Sequence, residues 1–261
     1  FFAPGLAFDP KDSLGLNVGN NPGDQTAGPG ESRAYTYYAH PANKETTSLV
    51  WDGGNIVVNP RNGLYGAIIV GPKGSQYRDP VTGADLSQKN AWRADVIVDA
   101  SLPENVGKRN YRDVALFFQD EDNIIGTAFM PYVQNVAGLT AVNYRAEPYK
   151  FREDQGCSIG KIFQPCVVDK PEDPATPLIE AHAGDAVRIH VIGANSEQNG
   201  MFTLEGHEWP IEPYMPGADM ISVVEYAGSE TLDVFIRGGA GGPYRQVGDF
   251  VWSNARLPYS Q

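Results

Sequence analysis

The chain has 261 residues, enough for one large or two medium domains with a buried core. Its 20 Lys and Arg stand against 32 Asp and Glu, a formal charge of −12, which argues against nucleic acid or an anionic membrane as partner and suits metal cations and a secreted, soluble surface. Glycine (29), proline (20), tyrosine (13) and phenylalanine (11) are plentiful and no run of about 20 apolar residues occurs, so short strands joined by turns are expected and no membrane span. The opening Phe1-Phe2-Ala3-Pro4-Gly5 lacks the basic flank and apolar core of an export signal.

Residues 1–28 are rich in Gly, Asn and Pro and keep no period. The turn Gly28-Pro29-Gly30 introduces a short aromatic strand, Arg33 to Ala39. An apolar strand ending at Trp51 follows, then the polar turn Asn59-Pro60-Arg61-Asn62-Gly63 and a further apolar strand up to Val70. Residues 71–95, with Asp79-Pro80-Val81-Thr82-Gly83, read as an extended connector. From Tyr111 onward Val114, Leu116 and Phe118 alternate with Ala115 and Phe117, and an acidic loop, Asp120-Glu121-Asp122-Asn123, follows. Gly184-Asp185 then introduces Val187, Ile189 and Val191, which alternate with Arg188 and His190, a half-buried strand with a polar outer face. Leu232, Val234 and Ile236 repeat the pattern. Nowhere do apolar residues keep a helical period over three turns, so the chain reads as all-β.

There is a short internal repeat. Gly30-Glu31-Ser32 and Leu49-Val50-Trp51 match Gly228-Ser229-Glu230 and Phe250-Val251-Trp252, with separations of 198 at the glycine and 201 at the tryptophan. This predicts two copies of one domain type, residues 1–105 and 106–261. The first copy has its closing Gly63-Leu64-Tyr65-Gly66 strand but too few residues before it for a whole sandwich, and the second stops at Pro258-Tyr259-Ser260-Gln261, where that strand would begin. A sandwich short of a strand exposes an unpaired edge. The chain is therefore expected to be an interior piece of a longer polypeptide, or to be completed by neighbouring segments.

Few residues carry chemistry. Cys157 and Cys166, nine positions apart in a Gly- and Pro-bearing stretch, are read first as a local disulfide; two free thiols and half a metal site compete with that reading. The four histidines are His40, His182, His190 and His207. His40 beside Pro41 reads as a loop residue, and His182 and His190 as surface residues without a second histidine at ligand spacing. The acidic loop 120–123 lacks the spacing of a calcium loop and reads as a solvated hairpin tip. Gly238-Gly239-Ala240-Gly241-Gly242 lacks the Lys-Ser/Thr of a phosphate loop and reads as a flexible inter-strand loop. His182, Asp185 and Ser196 make a nucleophilic triad only on paper.

Four segments occur in an order that resembles the multicopper oxidases. They are Pro29-Gly30-Glu31-Ser32 before Tyr35-Thr36-Tyr37-Tyr38; Gly63 to Lys73 with Tyr77-Arg78-Asp79-Pro80-Val81-Thr82-Gly83; Val142-Asn143-Tyr144-Arg145-Ala146-Glu147-Pro148; and Phe202-Thr203-Leu204-Glu205-Gly206-His207-Glu208-Trp209, similar to the strand that carries an H-x-x-H-x-H copper motif. The resemblance implies tandem cupredoxin-like Greek-key β-sandwiches from a bacterial-type multidomain member, extracellular or periplasmic, with copper as the parent family's cofactor. A whole enzyme of this kind needs about ten histidines for its centres, against the four present here. Aligned on Gly206-His207, the three ligand positions become Gly200, Thr203 and Glu205, and His207 falls on the histidine after the motif, usually not a ligand. The H-x-H positions of the first copy fall on Trp51 and Gly53, and those of the second on Trp252 and Asn254.

No catalytic or cofactor-binding residue is assigned, and no copper is expected on this chain alone. His207 is the one metal candidate; the competing reading is a strand histidine packed on Trp209 or bonded to backbone. Trp51 and Trp252 are expected to fill the volume of a metal loop. The expected partners are neighbouring cupredoxin domains or chains that complete the sandwiches. Two functions follow: a metal-free structural pair within an oxidase that couples oxidation of a metal ion or small organic substrate to O2 reduction, or a non-enzymatic extracellular structural or binding module.

Overall fold

A computed structural model describes residues 1–21, 23–43, 45–120, 140–145, 149–167, 175–195 and 199–254. It falls into two compact units, Phe1–Lys73 and Gly74–Gln261. The all-β expectation holds: the one α-helix among the described residues is the six-residue Tyr149–Asp154, α1. The expected division at 105/106 moves to Lys73/Gly74, because Gln76–Arg78 and Arg93–Ile97 pair into the sheet that contains Tyr111–Asp120.

In the first unit, β1 (Thr46–Trp51) and β2 (Tyr65–Val70) form an antiparallel pair with Trp51 opposite Tyr65. A small core of Ala3, Leu6 and Val50 takes Tyr37 and Val70 against it. Residues 1–43 are held more by polar anchors than by ladders. The buried Gln25 side chain accepts the Leu14 amide at 2.9 Å and donates to the Pro10 carbonyl at 2.8 Å. The expected aromatic strand 33–39 has a bridge only at Tyr38, to Ala7. Its alternate tyrosines send hydroxyls to backbone carbonyls instead, Tyr35 to Gln25 at 2.6 Å and Tyr37 to Phe1 at 2.9 Å.

The second unit is a β-sandwich. One sheet orders β12 (Thr231–Phe235), β7 (Val187–Asn195), β5 (Tyr111–Asp120), β4 (Arg93–Ile97) and β3 (Gln76–Arg78), with β6 (Thr140–Val142) also on β5. The other orders β11 (Val223–Tyr226), β8 (Gly200–Leu204) and β13 (Trp252–Asn254). A small ladder pairs β9 (Trp209–Pro210) with β10 (Met220–Ile221). So the expected connector 71–95 contains two strands, with Asp79 closing a turn by accepting the Val81 and Thr82 amides at 3.0 and 2.7 Å.

The alternation read in the sequence sets the core. Val114, Leu116 and Phe118 of β5 and Val187, Ile189 and Val191 of β7 face Phe202, Leu204 and Tyr226 across the sandwich. Phe118 meets Tyr226, Phe202 and Trp252 at ring-centroid distances of 4.9, 6.3 and 6.3 Å, so three rings of one sheet close on one ring of the other. β5 and β7 run parallel, and β7 is buried along almost its whole length on both faces, as a parallel strand inside a sheet is.

Cys157 and Cys166 are bonded. Their loop encloses Arg152, a residue of α1, which donates to the Gln164 carbonyl at 2.7 Å and accepts the Cys157 amide on its own carbonyl at 3.0 Å. Replacing both cysteines by serine should lower unfolding free energy by about 2–3 kcal/mol through the entropy of a short loop. Urea titration of the wild type with and without reductant, beside the double variant, checks this: reduced wild type and variant should coincide.

Candidate functional site

The copper-motif strand can be followed residue by residue. Gly200 starts β8, and a β-carbon there would lie 2.1 Å from Tyr226 Cζ and 2.2 Å from its hydroxyl oxygen. The Tyr226 ring, fully buried, occupies the space that a side chain at position 200 needs. Thr203 turns its hydroxyl to the Ser222 carbonyl at 3.3 Å, and Glu205 is exposed. In the first unit, a β-carbon at Gly53 would lie 1.9 Å from the Gly15 carbonyl oxygen. Two positions that the alignment gives to imidazoles are closed by neighbouring atoms.

His207 is buried in the turn after β8, edge-on to Phe250 at 4.7 Å. Its Nδ1 donates to the Glu205 carbonyl at 2.8 Å, and its Nε2 accepts the Gly241 amide at 3.0 Å. Both ring nitrogens are used, which fixes the tautomer and leaves no lone pair for a metal. Of its two competing readings, backbone bonding is the one the geometry gives. Among the described residues, no group of three or more His, Cys, Asp or Glu is placed to hold a metal ion. The donor set therefore does not fit copper.

The tryptophans sit where ligand loops were aligned. Trp51 exchanges backbone hydrogen bonds with Phe2 in both directions and stacks on its ring at 6.1 Å. Trp252 lies on β13 with its ring edge-on to Phe118. The glycine loop 238–242 is pinned, contrary to the flexible loop expected. Gly184 donates to Ala240, Ala240 to Asp185 and Gly241 to His207, and Gly239 packs so tightly on the Asp185 carbonyl that a β-carbon would come within 2.3 Å. Four of its glycines have left-handed φ, from 67° to 81°.

His190 is the clearest departure from expectation. Read as a surface residue, it is wholly buried on the non-core face of β7. Its Nδ1 lies 2.6 Å from Asp233 Oδ1 and its Nε2 2.8 Å from Asp113 Oδ1. Arg188 bonds Asp233 at 3.1 Å and Tyr214 at 3.0 Å, and its guanidinium also faces Tyr111. β-register explains the assembly: Asp233 stands opposite His190, and Asp113 opposite Arg188. Burial pushes the imidazole pKa down, but the two carboxylates outweigh burial and raise it. With His190 protonated, two cations balance two carboxylates. In the sequence Asp113, His190 and Asp233 each alternate with apolar residues, a pattern that a solvated strand face produces equally.

His40 accepts the Ala42 amide on Nδ1 at 3.1 Å, and His182 is exposed with Nδ1 3.4 Å from Asp185. The acidic residues 121–123, Ser196, 146–148 and 258–261 lie outside the described residues.

A groove of about 600 Å³ opens beside His207. One wall is the continuous stretch 246–252, including Val247, Phe250 and Trp252; the other includes Leu178, Ile179 and Phe163 of the disulfide loop.

No protein-family model matches the chain, and no curated protein matches it. The structure is similar to the crystal structure of a blue copper oxidase from Nitrosomonas europaea, at 18% identity and a TM-score of 0.42, over 78% of this chain and 48% of that one. The chain thus spans about half the length of that protein, and the superposition is too loose to transfer the role of any residue.

Two predictions follow from the geometry. Gly200→Ala should destabilise the second unit by about 1–3 kcal/mol, because Tyr226 has nowhere to retreat in a packed core, and the same change in a Tyr226→Leu background, where the ring is gone, should cost measurably less; thermal unfolding reads both. His190 binds its proton more tightly folded than unfolded, so the stability it contributes is full below the unfolded value near 6.5 and falls as pH rises through the higher folded value. Stability of the wild type towards urea should fall as pH rises above about 6.5, and Asp113→Asn, by removing one carboxylate, should bring the loss to lower pH.

Proposed function

We propose that this chain is a metal-free structural portion of a larger multicopper-oxidase-like oxidoreductase. Other domains would carry the coppers and couple oxidation of a metal ion or small organic substrate to O2 reduction. The observation that carries this reading is the closure of Gly53 and Gly200, where the family resemblance asks for imidazoles and no β-carbon fits. His207, with both nitrogens bonded to backbone, supports it. The role left to the chain is packing: cupredoxin-like sandwich against neighbouring domains. An extracellular or periplasmic setting is supported by the disulfide; no described helix is long and apolar enough to cross a membrane.

A second reading, a non-enzymatic β-sandwich binding module, is favoured by the apolar groove beside His207. Copper analysis separates the two. The isolated chain, loaded with Cu(I) or Cu(II) and desalted, should retain no stoichiometric copper and show no blue absorbance, whereas the natural full-length protein should hold several coppers per chain. Copper-free full-length protein favours the module. Tight copper on the isolated chain removes the structural reading altogether.

A further inference from the structure

The groove reaches β13 at its first residue, Trp252. Trp252 opens β13 and Val251 before it is already tied to β8 through the Glu205 amide; both line the groove, although neighbours in a ladder point to opposite faces. A cavity that touches both runs beside the backbone there. The Val251 carbonyl accepts the Glu205 amide at 2.9 Å and Ser253 stands opposite Thr203, so the alternation of an antiparallel ladder turns the Trp252 N–H and C=O away from β8. None of the described strands pairs with that outer edge. The facing wall, around Leu178 to Ala181, is itself fastened to the large sheet, since Arg112 of β5 donates to the Glu180 carbonyl and Arg93 of β4 to that of Leu178. The gap therefore has a strand edge that is open among the described strands on one side and an anchored segment on the other, with Val187, Ile189 and Leu204 lining it between the sheets.

We propose that this groove accepts an extended polypeptide segment as an additional strand on β13. Its main chain would pair with Trp252, its alternate apolar side chains would lie on Phe250 and Val247, and a basic residue would meet Asp249 at the rim. The partner chemistry follows from what is present. An unpaired strand edge recognises backbone, the apolar walls recognise alternate side chains, and Asp249, with no lysine or arginine among the described residues of the lining and a chain charge of −12, favours a cation. Phe163, Leu178 and Val247 keep 54%, 56% and 90% of their surface in solvent, apolar area that such a strand would cover. The inference deepens the structural reading above, in which neighbouring segments complete the sandwich, and gives that contact a place.

The test uses the whole chain and a synthetic ten-residue peptide of alternating Val and Thr with a lysine at each end. Amide hydrogen exchange should find the Trp252 N–H fast in the free chain and slowed at least about tenfold with peptide, as ladder formation protects an amide. Val247→Asp, at an exposed position, should weaken binding about tenfold or more while leaving thermal unfolding unchanged, and a peptide with proline at alternate positions should not bind. A Trp252 amide already protected in the free chain overturns the proposal. So does saturable peptide binding that leaves this amide fast, equal binding of the proline peptide, or no binding of the Val-Thr peptide at millimolar concentration. Each of these leaves the copper measurement, and with it the structural reading, untouched.

Discussion

The parallel pairing of β5 with β7 is the constraint from which the second unit is built. β7 has no face left for water, and β5 is buried on both faces from Asp113 to Leu116. On one side, Val114, Leu116, Phe118, Val187, Ile189 and Val191 form half of the core, and the three-stranded sheet must lie over them. On the other side, the same two strands carry Asp113, Arg188 and His190, which burial forces to be neutralised within the cluster. Buried ion pairs of this kind add little net stability over apolar packing, but removing one member leaves a charge without its partner, so they select one strand register. A shift of one residue between β5, β7 and β12 would separate every pair in the cluster and turn the apolar rows away from the core.

The same economy of space governs the sites. Tyr226 is held by Phe118 from one side and reaches over Gly200, so its ring serves both the core and the start of β8. Gly193, in β7, is equally confined: a β-carbon there would lie 2.0 Å from the Ala227 carbonyl oxygen. Glycines at these positions are sites of close approach between strand and return loop. His207 plays a related part, stapling the turn after β8 to the glycine loop through two backbone bonds.

The sequence made the core legible because period-two alternation is a direct consequence of strand geometry: the inward rows of β5, β7 and β12 are the residues picked out by it. The reading erred where alternation has two meanings. A polar residue between apolar ones marks a wet face in a strand covered on one side, and a paired charge in a strand covered on both, and nothing local to His190 separates these cases. Strands β3 and β4 were hidden for another reason. Their Gly, Pro and Asp neighbours belong to turns flanking very short ladders, which no window of alternation detects. The 33–39 segment has strand composition without a ladder because its backbone meets a loop: Tyr38 exchanges two hydrogen bonds with Ala7 and the Thr36 amide donates to the Ser13 hydroxyl. Contacts such as Tyr226 on Gly200 join residues 26 positions apart and leave no trace in either neighbourhood.

Crowding at Gly200 also couples what can stand at two positions distant in sequence. With Tyr226 in place, any residue larger than glycine at position 200 enters an occupied volume, while a smaller residue at 226 first would open a cavity beneath Phe118. The two positions are therefore epistatic: each single step is penalised and the pair is not the sum of its parts. A side chain at 200 is reached only through a destabilised intermediate, whichever position changes first.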